Sequence, residues 1–368
     1  MILCANPKEQ YLAYKDEINQ SIERVLNSGW YILGQEVKSF ENEFALFCET
    51  KHAVGVANGT DAIFLALKVL DIGSGDEVIT VSHTAMATAS AIESSGADIV
   101  FVDIEDNYFT IDASLIEKSI TSKTKAIVAV HLYGQPCNMD AILSIAKKYD
   151  LDVIEDCAQA HGARYKGKVV GSMGDVGCFS FFPTKNLGAI GDGGAVVTNR
   201  NDLSEKLSMI RQYGWDNTRQ SHLPGYNSRL DELQAAVLRV KLKYLHRDIE
   251  KRNHIAQMYE KLLATLLSIR LPVVRQSCSH AFHLYVISLE NRDEVLIKLK
   301  ERGIIAMIHY AEAVHQTERF ATKEDLSITE KSVNNILSLP LYPELSYEQI
   351  KQVCDALIDI MKEVENVK

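Results

Sequence analysis

Cysteine is sparse and unpatterned in this sequence. The seven residues, at 4, 48, 137, 157, 178, 278 and 354, are odd in number and widely spaced. That excludes a closed disulfide framework, and no C-x-x-C pair exists to start a zinc site. Free thiols suit a reducing compartment, so a cytoplasmic location is expected. Basic residues fall short of acidic ones, 39 against 49, for a formal charge of −10. A general binder of nucleic acid or anionic membrane needs clustered Lys and Arg, so no nucleic-acid and no membrane partner is expected. One phosphate held in a local pocket remains compatible with that charge. No apolar run reaches 18 residues, which excludes a helical membrane span. The opening residues, MILCANPKEQ, lack a basic region followed by an apolar stretch, so no signal peptide is expected. Internal repeats and low-complexity segments are also lacking.

What is present suits a globular protein, with 46% hydrophobic and 24% charged residues over 368 positions. At roughly 150 residues per domain, the length predicts two domains. Short runs rich in Val and Ile read as strands at 52–57, 77–82, 98–104, 125–134, 151–156, 176–182 and 193–199. Helical spacing lies between them, as at 60–70 (Ile63, Leu67, Leu70) and at 139–149, where Asn138 caps. This alternation predicts an α/β fold with a mostly parallel central sheet covered by helices on both faces. Residues 229–264 read as one long helical stretch. The remainder reads as a smaller α+β domain: strands near 281–289 and 304–309, helices near 292–302 and 346–363. The expected boundary puts a large domain over 1–246 and a small one over 247–368.

Ligands of such sheets sit outside the carboxyl ends of the strands, so chemistry is expected just after each strand. Asn58-Gly59-Thr60-Asp61 follows a strand and opens a helix. Glycine lets the backbone approach closely, and the free N–H groups of a helix start favour an anion. The same residues make an ordinary capped turn. Asp156 ends another strand, with Gln159 and His161 after it. A carboxylate there holds a protonated nitrogen base, or serves as a cap or structural ion pair. Lys185 stands in CFSFFPTKNLGAIGDGG (178–194), after Ser180 and before four glycines. Its aromatic and small neighbours predict desolvation, which lowers an amine's pKa and leaves the neutral form that a Schiff base needs.

The set is more telling than its members. An anion cradle at 59, a carboxylate at 156, a hydroxyl at 180 and an amine at 185 match the needs of pyridoxal 5'-phosphate. No His, Cys and carboxylate ligands are spaced for a metal, so none is expected, and the cradle lacks the G-x-G-x-x-G of a dinucleotide site.

On these residues the chain resembles the nucleotide-sugar aminotransferases of the DegT–DnrJ–StrS family, fold-type I pyridoxal-phosphate enzymes. The resemblance runs from SGWYILGQEVKSFENEFA (28–45) through ANGTDAIFLAL (57–67), VIEDCAQAHGA (153–163), SFFPTKNLGAIGDGG (180–194) and GYNSRLDELQAA (225–236) to IHYAEAVHQ (308–316). It implies that Lys185 links covalently to the cofactor, Asp156 meets the ring nitrogen, and Gln159 lies beside the ring hydroxyl. Gly59, Thr60 and Ser180 correspond to phosphate ligands. Asn227 corresponds to a residue that reaches the phosphate of a neighbouring subunit, which implies a homodimer with shared sites. His309 and Tyr310 return from the small domain to the substrate pocket. SHTAMATASAI (82–92) and VHLYGQP (130–136) are similar to the branch that acts on 3-keto sugars. Ala85 aligns where many 4-aminating members carry an aromatic, which makes His83 the candidate to cover the cofactor ring. Phe182 stands where related enzymes often have Tyr, removing a polar sugar contact. The implied reaction moves an amino group from L-glutamate to C-3 of a dTDP-3-keto-6-deoxyhexose. A 4-keto nucleotide sugar, or a sugar-nucleotide sensor with the same fold and no turnover, are the alternatives.

Overall fold

The computed structural model describes residues 1–365. Its main sheet has seven strands: β1 His52–Val56, β2 Glu77–Val81, β3 Asp98–Val102, β4 Thr124–Val130, β5 Asp152–Asp156, β6 Val176–Ser180 and β7 Gly194–Thr198. The spatial order is β1-β7-β6-β5-β4-β2-β3. Strands β2, β3, β4, β5 and β6 pair in parallel, and β7 is antiparallel to both neighbours. Each of the seven strands expected for this sheet is found within a few residues of its expected ends.

Period-two burial assigns the faces. Phe179, Ala195 and Val197 point to one side, where they join Phe40 and Phe44 of the helix Gln35–Phe47. Cys178, Val196 and Val54 point to the other, against Ile63 and Leu67 of the helix Gly59–Val69. Both faces are therefore apolar and covered, as a mostly parallel sheet requires. A second region has its own cluster, which runs from Ile255 to Val364 and takes in Ile2. It packs around a three-stranded antiparallel sheet of β8 Ile269–Arg270, β9 Tyr285–Leu289 and β10 Ile336–Leu339, in the order β8-β9-β10.

Two expectations are corrected. The stretch 229–264 is two helices, Glu232–Leu242 and Leu245–Leu263. The break is a tightened turn in which the Tyr244 N–H donates to the Lys241 carbonyl at 3.0 Å. Tyr244 is held there by stacking on Tyr14, with ring centroids 4.5 Å apart. Residues 304–309 are not a strand. They touch Ile2 and Ser338 only through isolated bridges at Ile304 and Met307, and a turn follows at His309–Tyr310. No helix among the described residues is long and apolar enough to cross a membrane.

Candidate active site

Sheet register brings the anion cradle to the hydroxyl. Gly194 pairs with Val56 on one side and with Ser180 on the other. The turn that follows β1 therefore lands beside the end of β6. Gly59 sits so close that a Cβ added to it would lie 2.6 Å from Ser180 Cβ. Asn58 caps the helix by accepting the Asp61 N–H at 2.8 Å. The Gly59 and Thr60 N–H groups stand one turn too early for intrahelical acceptors. Ser180 Oγ accepts the Phe182 N–H at 3.3 Å and keeps its own proton to donate.

Strand β5 delivers Asp156 to the same edge. Its carboxylate is 5% exposed. One oxygen accepts from Thr88 Oγ1 at 2.9 Å and the other from the Ala158 N–H at 3.1 Å. Burial pushes this carboxyl up, while the Ala158 and Thr88 donors and the Lys185 charge oppose the rise. The loop after β6 carries Lys185, whose N–H donates to the Phe182 carbonyl at 2.8 Å. Burial lowers the amine's pKa to about 8, with the Asp156 charge working the other way. A lysine with that value is a usable base at neutral pH.

Three imidazoles surround the amine. His161, His283 and His309 are all pushed down by burial, with the Lys185 charge adding to the effect; His161 falls to about 3 and His309 to about 4. His161 packs against Phe179 and Phe181. His283 Nδ1 meets Asn186 Oδ1 at 3.3 Å. Since Asn186 Nδ2 donates to the Ala281 carbonyl, His283 must donate here.

Gln159 Nε2 donates to the Tyr310 hydroxyl at 3.0 Å, and His309 Nδ1 meets Ser338 Oγ at 2.9 Å. Burial, then the Asp156 charge, push the Tyr310 phenol up to about 12. His309 and Tyr310 thus reach the same edge as Lys185 and Asp156. Phe182 lies three residues before Lys185 with its ring 51% exposed. Asn227 is exposed beside the cradle, since its neighbour Ser228 Oγ accepts the Ala57 N–H at 3.1 Å. His83 stands apart. It packs on Phe109 and Tyr133, and the charge that it senses is Asp103.

Sequence reasoning passed over Thr88, Asn186 and His283. Thr88 lies in the first turn of the helix Met86–Ser95, inside SHTAMATASAI, but that stretch marked the sugar branch and gave no role to this residue. Asn186 was legible only as the residue after Lys185. His131, Glu155 and Cys157 come within metal-binding distance of one another. The Glu155 carboxylate, however, already accepts from His131 Nε2 and from the Gly171, Met173 and Gly174 amides, so the group is a satisfied structural cluster.

The residues fit a phosphorylated pyridine aldehyde. The cradle by Ser180 would be filled by any Cβ at Gly59, and the amine and carboxylate lie at the same strand ends. Comparison with known proteins agrees. The DegT/DnrJ/EryC1/StrS aminotransferase family model matches residues 13–358. The chain is similar to the dTDP-3-amino-3,6-dideoxy-alpha-D-galactopyranose transaminase of Aneurinibacillus thermoaerophilus, 47% identical over 348 residues, which cover 94% of this chain and 96% of that one. It is similar to the crystal structure of S. venezuelae DesV in complex with a ketimine intermediate, with a TM-score of 0.95 and 44% identity over 97% of this chain and 98% of that one. It is also similar to ntda from Bacillus subtilis with bound cofactor PMP, with a TM-score of 0.89 and 32% identity over 95% of this chain and 82% of that one. The chain belongs to the DegT/DnrJ/EryC1/StrS aminotransferase family.

Proposed function

We propose that this chain is a pyridoxal 5'-phosphate-dependent transaminase. It moves the amino group of L-glutamate to C-3 of a dTDP-3-keto-6-deoxyhexose, of galacto or gluco configuration, giving the 3-amino sugar and 2-oxoglutarate. The observation that carries this reading is the placement of the depressed Lys185 amine and the buried Asp156 carboxylate at adjacent strand ends beside the Gly59–Ser180 cradle. The named substrates of the similar transaminases support the sugar and the position of amination.

When bound, the cofactor supplies an aldehyde that captures amines and a ring that takes up the electron pair of a broken C–H bond. Gly59, Thr60 and Ser180 would hold its phosphate, Asp156 its ring nitrogen and Gln159 its hydroxyl side. Asp156 holds negative charge at Oδ1 and Oδ2 through the Ala158 and Thr88 donors, and so keeps a proton on a facing nitrogen. With a pKa near 8, about one Lys185 amine in ten is neutral at pH 7. Its Nζ takes the proton from the donor's α-carbon and later delivers a proton to the acceptor side. His309, Tyr310 and Phe182 would line the sugar side.

A homodimer fits the surface. Trp30, Tyr31 and Ile32 are exposed, as is Ile190. Ile32 bridges to Asp231, and the Ile190 N–H donates to Gln234, so both exposed apolar segments border the start of the helix Glu232–Leu242. Seven free thiols support a cytoplasmic setting. The separate cluster from Ile255 onward supports a division near residue 246.

The reading is tested with purified holoenzyme. L-Glutamate should bleach the absorbance of the lysine-bound cofactor, and mass spectrometry should find the amine on 3-keto dTDP sugars. Product from 4-keto sugars alone would overturn the position of amination. No spectral response to glutamate would overturn transamination.

A further inference from the structure

We propose that Tyr133 is a positioning residue: its hydroxyl and N–H together clamp the small-domain loop at His309 and Tyr310 onto the cofactor side of the site, so that capture of the acceptor sugar depends on it and capture of the amino donor does not. This rests on the transaminase reading above.

Tyr133 lies in the short turn Leu132–Gly134 that follows β4. Its backbone is left-handed, at φ 60° and ψ −2°, a conformation that bulky L-residues avoid unless the surroundings impose it. The surroundings here are specific. The Tyr133 carbonyl accepts the His283 N–H at 2.9 Å. Its N–H donates to Gln159 Oε1 at 2.8 Å, and the side chain is 3% exposed.

Two routes leave this residue for the small domain. Its hydroxyl donates to the His309 carbonyl. Its N–H holds Gln159 Oε1, which turns Gln159 Nε2 toward the Tyr310 hydroxyl at 3.0 Å. Successive loop residues are thus held from one tyrosine, one through main chain and one through a side chain. The second route passes through the residue assigned to the cofactor's hydroxyl side.

The phenol has one proton, and the His309 carbonyl takes it. His83 Nε2, 2.7 Å from the same oxygen, must therefore be a donor. That assigns the His83 proton to Nε2 and leaves Nδ1 as a buried acceptor without a protein partner. His83 then acts as a support for Tyr133. Burial also holds the Tyr133 phenol well above its usual range, so the donor persists across working pH.

The experiment uses Tyr133→Phe holoenzyme, which retains the ring and its buried packing. The two half-reactions are measured separately: L-glutamate with the cofactor-loaded enzyme, then a dTDP-3-keto-6-deoxyhexose with the aminated enzyme. The sugar half-reaction should lose about tenfold in kcat/KM, equal to ~1.4 kcal/mol, and the glutamate half-reaction should stay within about twofold. Hydrogen–deuterium exchange should quicken in peptides spanning 305–316 and stay unchanged in 153–163. An equal fall in both half-reactions, or no fall in either with unchanged exchange, overturns the proposal. A wild-type protein inert to glutamate sinks the transaminase reading instead, and the exchange difference then still decides whether Tyr133 clamps the loop.

Discussion

The Asp156 carboxylate and the Lys185 amine stand close enough that each moves the other's proton equilibrium. The carboxylate raises the lysine, the ammonium lowers the aspartate, and burial works against both charges. Burial prevails at the lysine, which settles near pH 8. At Asp156 burial also prevails and lifts the carboxyl above its usual 3.8, against the Ala158 and Thr88 donors that favour its charged form.

Lys185→Ala should bind cofactor yet lose turnover by ~10³-fold or more, since both the covalent anchor and the mobile proton are gone. Absorbance of the loaded variant and steady-state assays check it. Turnover near the native rate would remove Lys185 from its assigned role.

The same lysine gives a stability prediction in the apoprotein. Its folded pKa lies below the unfolded value of 10.5, so the unfolded chain binds the proton more tightly. Charging the buried amine therefore costs stability below about pH 8, and the cost fades as pH rises toward 10.5. Lys185→Met should stabilise the apoprotein at pH 7 by ~1–2 kcal/mol, allowing for partial solvent contact, with the gain vanishing by about pH 10.5. Urea unfolding at several pH values reads it directly, and a gain that does not change with pH would contradict this account.

Asp156→Asn removes the charge while leaving a side chain of the same shape for Thr88 and Ala158. The loss should fall on kcat, by ~10²-fold, the scale of losing one preorganised electrostatic contact. Cofactor affinity should change far less. An effect confined to KM would assign Asp156 to substrate binding.

Much of this site could be read from the chain because its groups follow strands, and strands are short apolar runs. Asp156, Ser180 and the Gly59 turn are each placed by the end of one such run; parallel pairing of β5 with β6, and β7 running antiparallel between β6 and β1, put those ends on a single edge. Lys185 was legible from the small and aromatic residues around it. The residues contributed by the small domain were legible only through the family resemblance. His309 and Tyr310 arrive through hydrogen bonds to Gln159 and Ser338, contacts more than 25 positions away with no local signature. The break at Tyr244 was hidden for a similar reason: no Gly or Pro marks it, and its cause is a ring at position 14.

Glu155 lies next to Asp156 on β5 and points to the opposite face, where it serves structure alone. It is fully buried, and its two oxygens collect His131 Nε2 and three amide protons. His131 Nδ1 accepts the Cys137 N–H at 3.0 Å, so the ring's proton sits on Nε2 and is given to the carboxylate. Burial alone would raise this carboxyl, but the His131 contact and the Gly171 and Gly174 amides hold it below its usual 4.5. The stabilisation is therefore fully present above about pH 4.5 and is lost as pH falls through the lower folded value. Glu155→Gln replaces one acceptor oxygen by an NH2 group that faces donors, and should cost ~3–5 kcal/mol at pH 7. Below about pH 4.5 the wild type begins to lose its advantage, and the two unfolding curves should converge only as pH falls through the lower folded value. Chemical unfolding at pH 7 and at a series of pH values below about 4.5 checks both halves. A gap that does not narrow across that series would show that packing, and not the carboxylate's charge, holds the 171–174 turn in place.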